Sequence, residues 1–335
     1  MQSGATVYPY TLDAASNRLL NVAGAVVKTY SYDAAGNTLS DGTLDFTWNA
    51  AGRMVKAATR SSIADNLYNG HGERVVKVGS RKNHGGPYLY FYNTTGQLIG
   101  DYEKAKGRKP TANWVQQQET VWLGDIPVAV IKQPIATKPA QVYFIHADHL
   151  NTPRVIVDQT NASVWRWNNQ NAFGNNPPIE DPDNNRRPFE YNLRFAGQYF
   201  DTETNLHYNY FRDYDPVTGR YLSSDPIGLA GGINTYGYAN ANPLRFVDPY
   251  GLETIVIVNN NAPVIGTHTG VVVDVDNITN TVLYDPGGSY RKIDKGSGDA
   301  LYGKDVNVKT ILTSRSWMAP IYKYIDFQLL QLKKC

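Results

Sequence analysis

The first two thirds of the chain alternate short apolar runs with turn-forming clusters, and no helical stripe interrupts them. Between residues 30 and 100 one arrangement recurs: Tyr32-Asp33-Ala34-Ala35-Gly36-Asn37, Trp48-Asn49-Ala50-Ala51-Gly52-Arg53, Tyr68-Asn69-Gly70-His71-Gly72-Glu73 and Tyr92-Asn93-Thr94-Thr95-Gly96-Gln97. In each, a strand ends on an aromatic residue, the Asp or Asn side chain can bond the backbone two residues on, and Gly supplies positive φ before the returning strand. Each copy predicts a β-hairpin. Copies starting at 32, 48, 68 and 92 are unevenly spaced, which suits stacked hairpins better than helices of fixed length. Tyr10 to Asp13 with Asn17 and Arg18 reads as an earlier, degenerate copy.

Further along, residues 103–119 read as an exposed polar loop, 122–131 as a strand pair, 162–174 as another aromatic strand and turn, and 175–188 as a loop open to proteolysis. From Leu193 onward the aromatics crowd together, with Tyr199, Phe200, Tyr208, Tyr210, Phe211, Tyr214 and Tyr221. Side chains that large fill a β interior or plug the end of a shell. After Leu252 the texture changes. β-branched runs at 254–258 and 270–275, with a return at 281–284, predict a hairpin, and apolar residues at helical spacing predict a helix over 320–334. The fold class is therefore mainly β, with a small α+β unit at residues 253–335.

Composition agrees with this pattern and narrows the chemistry. The 24 Tyr and 29 Gly favour strands and tight turns over long helices. With 32 basic and 30 acidic residues the net charge is +2, so no global field draws nucleic acid or an anionic membrane, and no nucleic-acid partner is assigned. No apolar run reaches the roughly 18 residues of a membrane span, and the residues after Met1 do not follow the pattern of a signal peptide. Any export then uses another route. The only cysteine, Cys335, excludes an intramolecular disulfide and a cysteine zinc cage. His146, Asp148 and His149 place three potential ligands within four residues, but they follow a strand into an Asn-Thr-Pro turn where they can simply orient the chain. No metal and no cofactor is assigned.

The aromatic-Asp-x-x-Gly pattern resembles the YD (Rhs) repeat. Residues 190–252, including Arg194-Phe195-Ala196-Gly197-Gln198-Tyr199-Phe200-Asp201 and the closing Asp-Pro-x-Gly-Leu motifs, resemble the Rhs repeat-associated core. The resemblance spans roughly residues 30–252. It implies a β-sheet that spirals into a hollow shell, of which this chain would carry part of the wall. The expected domains are a repeat scaffold at 1–142, a core at 143–252 and a variable tail at 253–335.

Two motifs carry possible chemistry, Asp225-Pro226-Ile227-Gly228-Leu229 and Asp248-Pro249-Tyr250-Gly251-Leu252. Read as pattern alone, each is a good turn. The second, preceded by Pro243, resembles the family's self-cleavage signature. That resemblance implies Asp225 and Asp248 as a catalytic pair and Leu252–Glu253 as the scissile bond, and Arg220, five residues before Asp225, is expected to orient a carboxylate. Paired carboxylates can share a proton, one acting as base on water and the other as acid.

In such proteins the segment after the cut is a variable toxin used between bacteria. The family thus implies an immunity protein, delivery proteins, and a producer cytoplasm left without a signal peptide. Thr267-His268-Thr269-Gly270 resembles the His strand of permuted NlpC/papain-like cysteine hydrolases, which would pair His268 with Cys335, although nothing follows Cys335 to build a site wall. Two other readings stand beside it. One is a nuclease tail using Asp274, Asp276, Asp285 and His268 on a divalent ion; the other is a structural, carbohydrate- or protein-binding scaffold with an inactive tail.

Overall fold

The computed structural model describes residues 8–252 apart from 60–61, 80–86, 105–113, 134–138 and 169, and beyond them the backbone of 256–259, 268–273, 282–285 and 304–307. The chain divides into two compact units, Met1–Leu252 and Glu253–Cys335.

The first unit opens with a small antiparallel sheet of β1 (Tyr10–Leu12), β2 (Leu19–Val22) and β3 (Lys28–Thr29). An antiparallel meander then forms a 13-stranded sheet in which every strand lies beside its sequence neighbours. Its first part is β4 (Ser31–Tyr32), β5 (Thr38–Ser40), β6 (Asp45–Trp48), β7 (Met54–Ala58), β8 (Ile63–Tyr68) and β9 (Arg74–Gly79). The sheet continues through β10 (Pro87–Tyr92), β11 (Leu98–Lys104), β12 (Trp114–Leu123) and β13 (Ile126–Lys132). It ends with β14 (Gln141–Ala147), β15 (Pro153–Val157) and β16 (Ser163–Arg166). The expected boundary between residues 142 and 143 falls inside β14. Residues 103–104 and 114–119, read as loop, are strand, and the polar Gln118 among them is buried and not turned to solvent.

The hairpin turns form as the repeat predicts. In each, the Asp or Asn backbone N–H donates to the carbonyl four residues on, and its side-chain oxygen accepts the returning N–H at 2.9–3.0 Å, at Asp33, Asn49, Asn69 and Asn93. Gly36, Gly52, Gly72 and Gly96 carry the left-handed step, with φ of 89°, 69°, 80° and 75°. Two more turns of this kind start at Asp148 and Asp158, where Asn151 and Asn161 take the glycine's place at φ 58° and 66°. Asp148 is thereby committed to structure: Oδ1 accepts from Leu150 and Thr152 N–H, and Oδ2 accepts from Arg154 Nε at 2.8 Å.

The repeat aromatic has a second task. Tyr32 Oη, Trp48 Nε1, Tyr68 Oη, Tyr92 Oη and Trp122 Nε1 donate to the carbonyls of Leu19, Thr38, Met54, Arg74 and Leu98, at distances between 2.6 and 3.0 Å. Each accepting residue follows the previous turn. Each of these five hairpins is therefore stitched to the one before it, which a Phe in the same place could not do.

The rest of the first unit packs onto the sheet. The strands β17 (Tyr199–Asp201), β18 (Leu206–Asn209), β19 (Arg212–Asp215) and β20 (Arg220–Tyr221) form a four-stranded sheet. Their rings join those of the wall in one buried cluster that includes Tyr90, Trp165, Trp167, Tyr191, Phe195 and Tyr214. A buried ion cluster fixes the register of core on wall. Arg74 grips Asp201 through two bonds of 2.5 and 2.9 Å, and Lys77 bonds both Asp201 and Glu203 at 2.9 Å. Burial alone would raise the pKa of Asp201, but Arg74 and Lys77 outweigh it and hold the carboxyl below its ordinary value. This contribution to stability is complete above the ordinary carboxylate range and is lost as pH falls through the depressed folded value.

In the second unit, β21 (Val256–Asn259), β22 (His268–Val273), β23 (Val282–Asp285) and β24 (Lys304–Asn307) form an antiparallel sheet in sequence order. The expected return of 281–284 onto 270–275 is present as the β22–β23 pair. The helix expected over 320–334 lies outside the described residues.

Tyr92→Phe keeps the ring and removes one stitch, so chemical denaturation should show a loss of about 0.5–1.5 kcal/mol in unfolding free energy. An unchanged midpoint would mean that the stitch contributes nothing.

Candidate active site at the end of the core

The hairpin of β18 and β19 places Asn209 and Arg212 opposite one another. The two residues joining them are bulky, and Tyr210 nonetheless adopts φ 50°, a conformation that costs a large side chain of order 1–3 kcal/mol. Surrounding contacts hold it there. Phe211 N–H donates to Tyr250 O at 2.9 Å, the Tyr210 and Tyr250 rings meet edge to face at 5.5 Å, and Arg53 stacks over Phe211 at 4.0 Å. The strained hairpin tip therefore clasps the closing Asp248–Leu252 motif.

Both Asp-Pro-x-Gly motifs are indeed turns, and both also deliver a carboxylate to one guanidinium. Arg212 Nη2 lies 2.9 Å from Asp225 Oδ2 and 3.2 Å from Asp248 Oδ2. All three side chains are buried. The guanidinium stacks on the Tyr221 ring, 3.7 Å from its centroid, and Tyr221 Oη donates to Asp248 Oδ2 at 2.8 Å. Asn209 Nδ2 braces this arrangement by donating to Tyr221 Oη at 2.7 Å and to the Asp248 carbonyl at 2.9 Å. Asp225 is fixed from its own side, its Oδ1 accepting from Ile227 N–H at 3.0 Å and its N–H donating to Thr235 O at 2.8 Å.

The backbone that follows Asp248 is drawn into the same site. Leu252 N–H donates to Asp248 Oδ1 at 2.8 Å, and Arg212 Nε donates to the Gly251 carbonyl. The peptide joining Gly251 to Leu252 is thus pinned on both faces. Gly251 has φ 68°, and a Cβ there would stand 2.5 Å from Asn209 O, so only glycine permits this close approach.

Burial dominates the electrostatics. It pushes Asp248 up to about 6, against the lowering influence of Arg212 and of Tyr221, with the charge of Asp225 adding to the rise. Burial likewise raises Asp225, opposed mainly by Arg212. A carboxyl raised in this way favours the folded state at low pH, and that contribution is lost as pH rises through about 6. The site therefore works against stability at neutral pH, as functional carboxylates commonly do.

Asp225 and Asp248 come together as the sequence implied. Arg220 does not join them. Its guanidinium donates to Asn17 O and lies over the Tyr236 ring at 5.6 Å, so the orienting cation is Arg212. Arg212 and Asn209 carry no signal in the sequence, and Tyr221 stands out there only as one of the crowded aromatics. His149 Nε2 meets Leu244 O at 3.1 Å, and among the described residues no group of three His, Cys, Asp or Glu side chains could hold a metal ion. His268 lies in β22, where only the backbone is described, and Cys335 lies outside the described residues.

A wall of YD hairpins stitched repeat to repeat, closed by an aromatic core that buries two Asp-Pro-x-Gly-Leu carboxylates, defines an Rhs/YD-repeat protein. The family model described as teneurin YD-shell matches residues 2–244, and the chain belongs to that family. It is similar to double-stranded DNA deaminase toxin A of Burkholderia cenocepacia, with 33% identity over 201 residues covering 58% of this chain and 13% of that protein. Toxin protein Tse5 of Pseudomonas aeruginosa is 39% identical over 119 residues, covering 36% of this chain and 8% of that one. The chain thus corresponds to a small part of each of these longer relatives. Among solved structures, the Tc holotoxin pore of Photorhabdus luminescens matches with a TM-score of 0.52 and 16% identity, over 78% of this chain and 14% of that chain, a likeness of fold. Among the described residues no helix is long and apolar enough to cross a membrane.

Replacing Arg212 by Met should move the Asp248 carboxyl upward from about 6, because the cation opposing burial is removed. Carbon-detected NMR titration of the aspartate carboxyls reads this directly, and an unmoved or lowered value would show that Arg212 does not set the charge state.

Proposed function

We propose that this chain is the C-terminal part of an Rhs-type toxin whose core cuts its own backbone between Leu252 and Glu253 and so frees residues 253–335 as the effector. The observation that carries the reading is the single guanidinium shared by Asp225 and Asp248, with Leu252 N–H held on Asp248. The relatives, a double-stranded DNA deaminase toxin and toxin protein Tse5, support a toxin role.

One cation between two buried carboxyls leaves room for one shared proton below about pH 6. Asp248, raised to about 6, keeps it and acts as the acid. Asp225 takes a proton from water as the water oxygen adds to the Leu252 carbonyl carbon. The bond from that carbon to the Glu253 nitrogen then breaks, and the nitrogen takes the proton from Asp248. The products are a Leu252 carboxylate and a Glu253 amine. Arg212 offsets the charge left on the pair, and the pinned peptide ahead of Leu252 supplies the orientation that makes such an attack effectively intramolecular.

On a denaturing gel the parent should run as two fragments, whereas Asp248→Asn and Asp225→Asn should each run as one uncut chain. Efficient cutting of either variant would refute the mechanism. Because the acid must hold its proton, the cleavage rate should fall as pH rises past about 6. A rate that climbs steadily into the alkaline range would contradict the assignment of Asp248.

For the tail we carry forward the cysteine-hydrolase reading, with His268 activating the Cys335 thiol. An immunity protein and delivery partners are part of the same proposal, by family. Producing the full chain in bacteria should slow growth, and His268→Ala should relieve it. Equal harm from the variant would reject the hydrolase.

A further inference from the structure

The four repeat turns do more than close hairpins, because each also touches the core beside the carboxylate pair. At the Asp33 turn, Gly36 O accepts from Tyr236 Oη at 2.8 Å, and just past it Thr38 N–H and Oγ1 donate to Leu222 O at 2.9 and 2.7 Å. Leu222 follows Tyr221, which bonds Asp248, and Tyr236 follows Thr235, whose carbonyl accepts from Asp225 N–H and Arg212 Nη1. From the Asn49 turn, Arg53 Nη1 donates to Tyr210 O at 3.1 Å. At the Asn69 and Asn93 turns the residue before the glycine offers its carbonyl. His71 O accepts a long bond of 3.4 Å from Tyr210 Oη, and Thr95 O accepts from Tyr250 Oη at 3.0 Å. Tyr210 opens the strained tip that leads to Arg212, and Tyr250 lies inside the closing motif.

The fit is tightest at the turn glycines. A Cβ on Gly36 would stand 2.7 Å from Tyr236 Oη, and one on Gly72 would run into the Arg53 guanidinium. One on Gly96 would stand 2.9 Å from the Tyr210 ring and 3.5 Å from the Tyr250 ring. Gly124, in the turn between β12 and β13, has the same left-handed backbone with φ 57°, yet a Cβ there would meet nothing within 4 Å. At Gly96 the missing side chain therefore serves twice, once for the backbone step and once for the space that Tyr210 and Tyr250 fill. A bulky residue keeps a left-handed conformation only where its surroundings over-determine it, and Arg53, His71 and the Tyr250 ring that rests on Thr95 are the surroundings of Tyr210. Without that seat the tip would be free to relax, and Gly251 and Leu252 would lose the hairpin they are clasped by.

We propose that the wall turns at Asn69 and Asn93 are the seat that holds the Tyr210 tip and the closing motif in the cutting geometry, with Gly96 and Tyr250 as positioning residues. Assembly of the wall then precedes the cut, because the peptide ahead of Leu252 is aligned on Asp248 only when the turns are in place. This consequence rests on the self-cleavage proposed above, whereas the seat itself rests on the contacts alone.

Two readouts on the full chain test it. One is the first-order rate of cleavage. The other, in the uncut Asp225→Asn chain, is hydrogen exchange of the Leu252 amide, which reports its bond to Asp248 Oδ1, relative to that of Ile156, buried in β15. A chain that is merely less stable speeds both amides alike and leaves their ratio unmoved. Gly96→Asn keeps the left-handed step, as Asn151 and Asn161 do in their own turns, but sets a Cβ against Tyr210. It should slow cleavage about tenfold and raise the exchange ratio about tenfold, and Gly124→Asn, which adds the same side chain at an open turn, should change neither. Tyr250→Phe removes only the hydroxyl that bonds Thr95 and should change both readouts about threefold, and it decides the matter if Gly96→Asn does not fold. The proposal is overturned if the folded Gly96→Asn or Tyr250→Phe chain keeps the parental exchange ratio or cutting rate, or if Gly124→Asn matches their effect. A parent chain that is never cut refutes the cleavage reading, and the exchange ratio then decides the seat by itself.

Discussion

Two carboxylates buried against one guanidinium impose the condition that the rest of the core satisfies. Burying an ion costs several kcal/mol unless it is paired and hydrogen-bonded, and here one cation must serve two acids. The shortfall of charge is what keeps a proton on the pair. Tyr221 and Asn209 supply the remaining hydrogen bonds, and the Tyr221 ring covers the guanidinium face. The strained turn at Tyr210 then holds the closing motif against the pair, so its conformational cost is a cost of placing Leu252. Loosening any of these supports would let water reach the acids and level their pKa values.

The site needs a rigid frame, and the wall provides it by linear means. Each hairpin is too small to fold alone, and each aromatic ties its repeat to the one before, so order is passed along the sheet as in other repeat proteins. The core is not a further repeat. It joins the wall through the shared ring cluster and through Arg74 and Lys77 on Asp201 and Glu203. These buried ion pairs contribute register more than net stability, since a buried charge that is well placed is strongly disfavoured in any other position.

Much of this was legible in the sequence because the repeat is local chemistry. Aromatic, Asx and Gly fix one turn within six residues, and the four turns stand where the pattern put them. The turn at Asp148 was legible as an Asn-Thr-Pro turn, but its kinship with the repeat turns, and the turn at Asp158, were not, because Asn151 and Asn161 adopt the left-handed step that marks a glycine elsewhere. That Asp225 and Asp248 converge was implied only by family resemblance, since spacing alone equally describes two independent turns. The error over Arg220 has the same origin. Proximity in sequence favoured it, but which arginine reaches Asp225 is settled by the pairing of β18 with β19, and Arg212 shows its place only when set opposite Asn209. The aromatic stitch needed coordinates too, because its acceptors are backbone carbonyls that no side-chain pattern reveals.

The central claim is that water, prepared by Asp225 and Asp248, cuts the chain after Leu252. The most direct measurement is the intact mass of the protein synthesised in water enriched in oxygen-18. The account predicts an N-terminal fragment ending at Leu252 with one heavy oxygen in its new terminal carboxyl, and a partner beginning at Glu253 that gains none from the cut, its one heavy oxygen being that of chain release from tRNA. A chain that stays whole, a terminus elsewhere, or the heavy oxygen on the Asp248 side chain in place of Leu252 would contradict it.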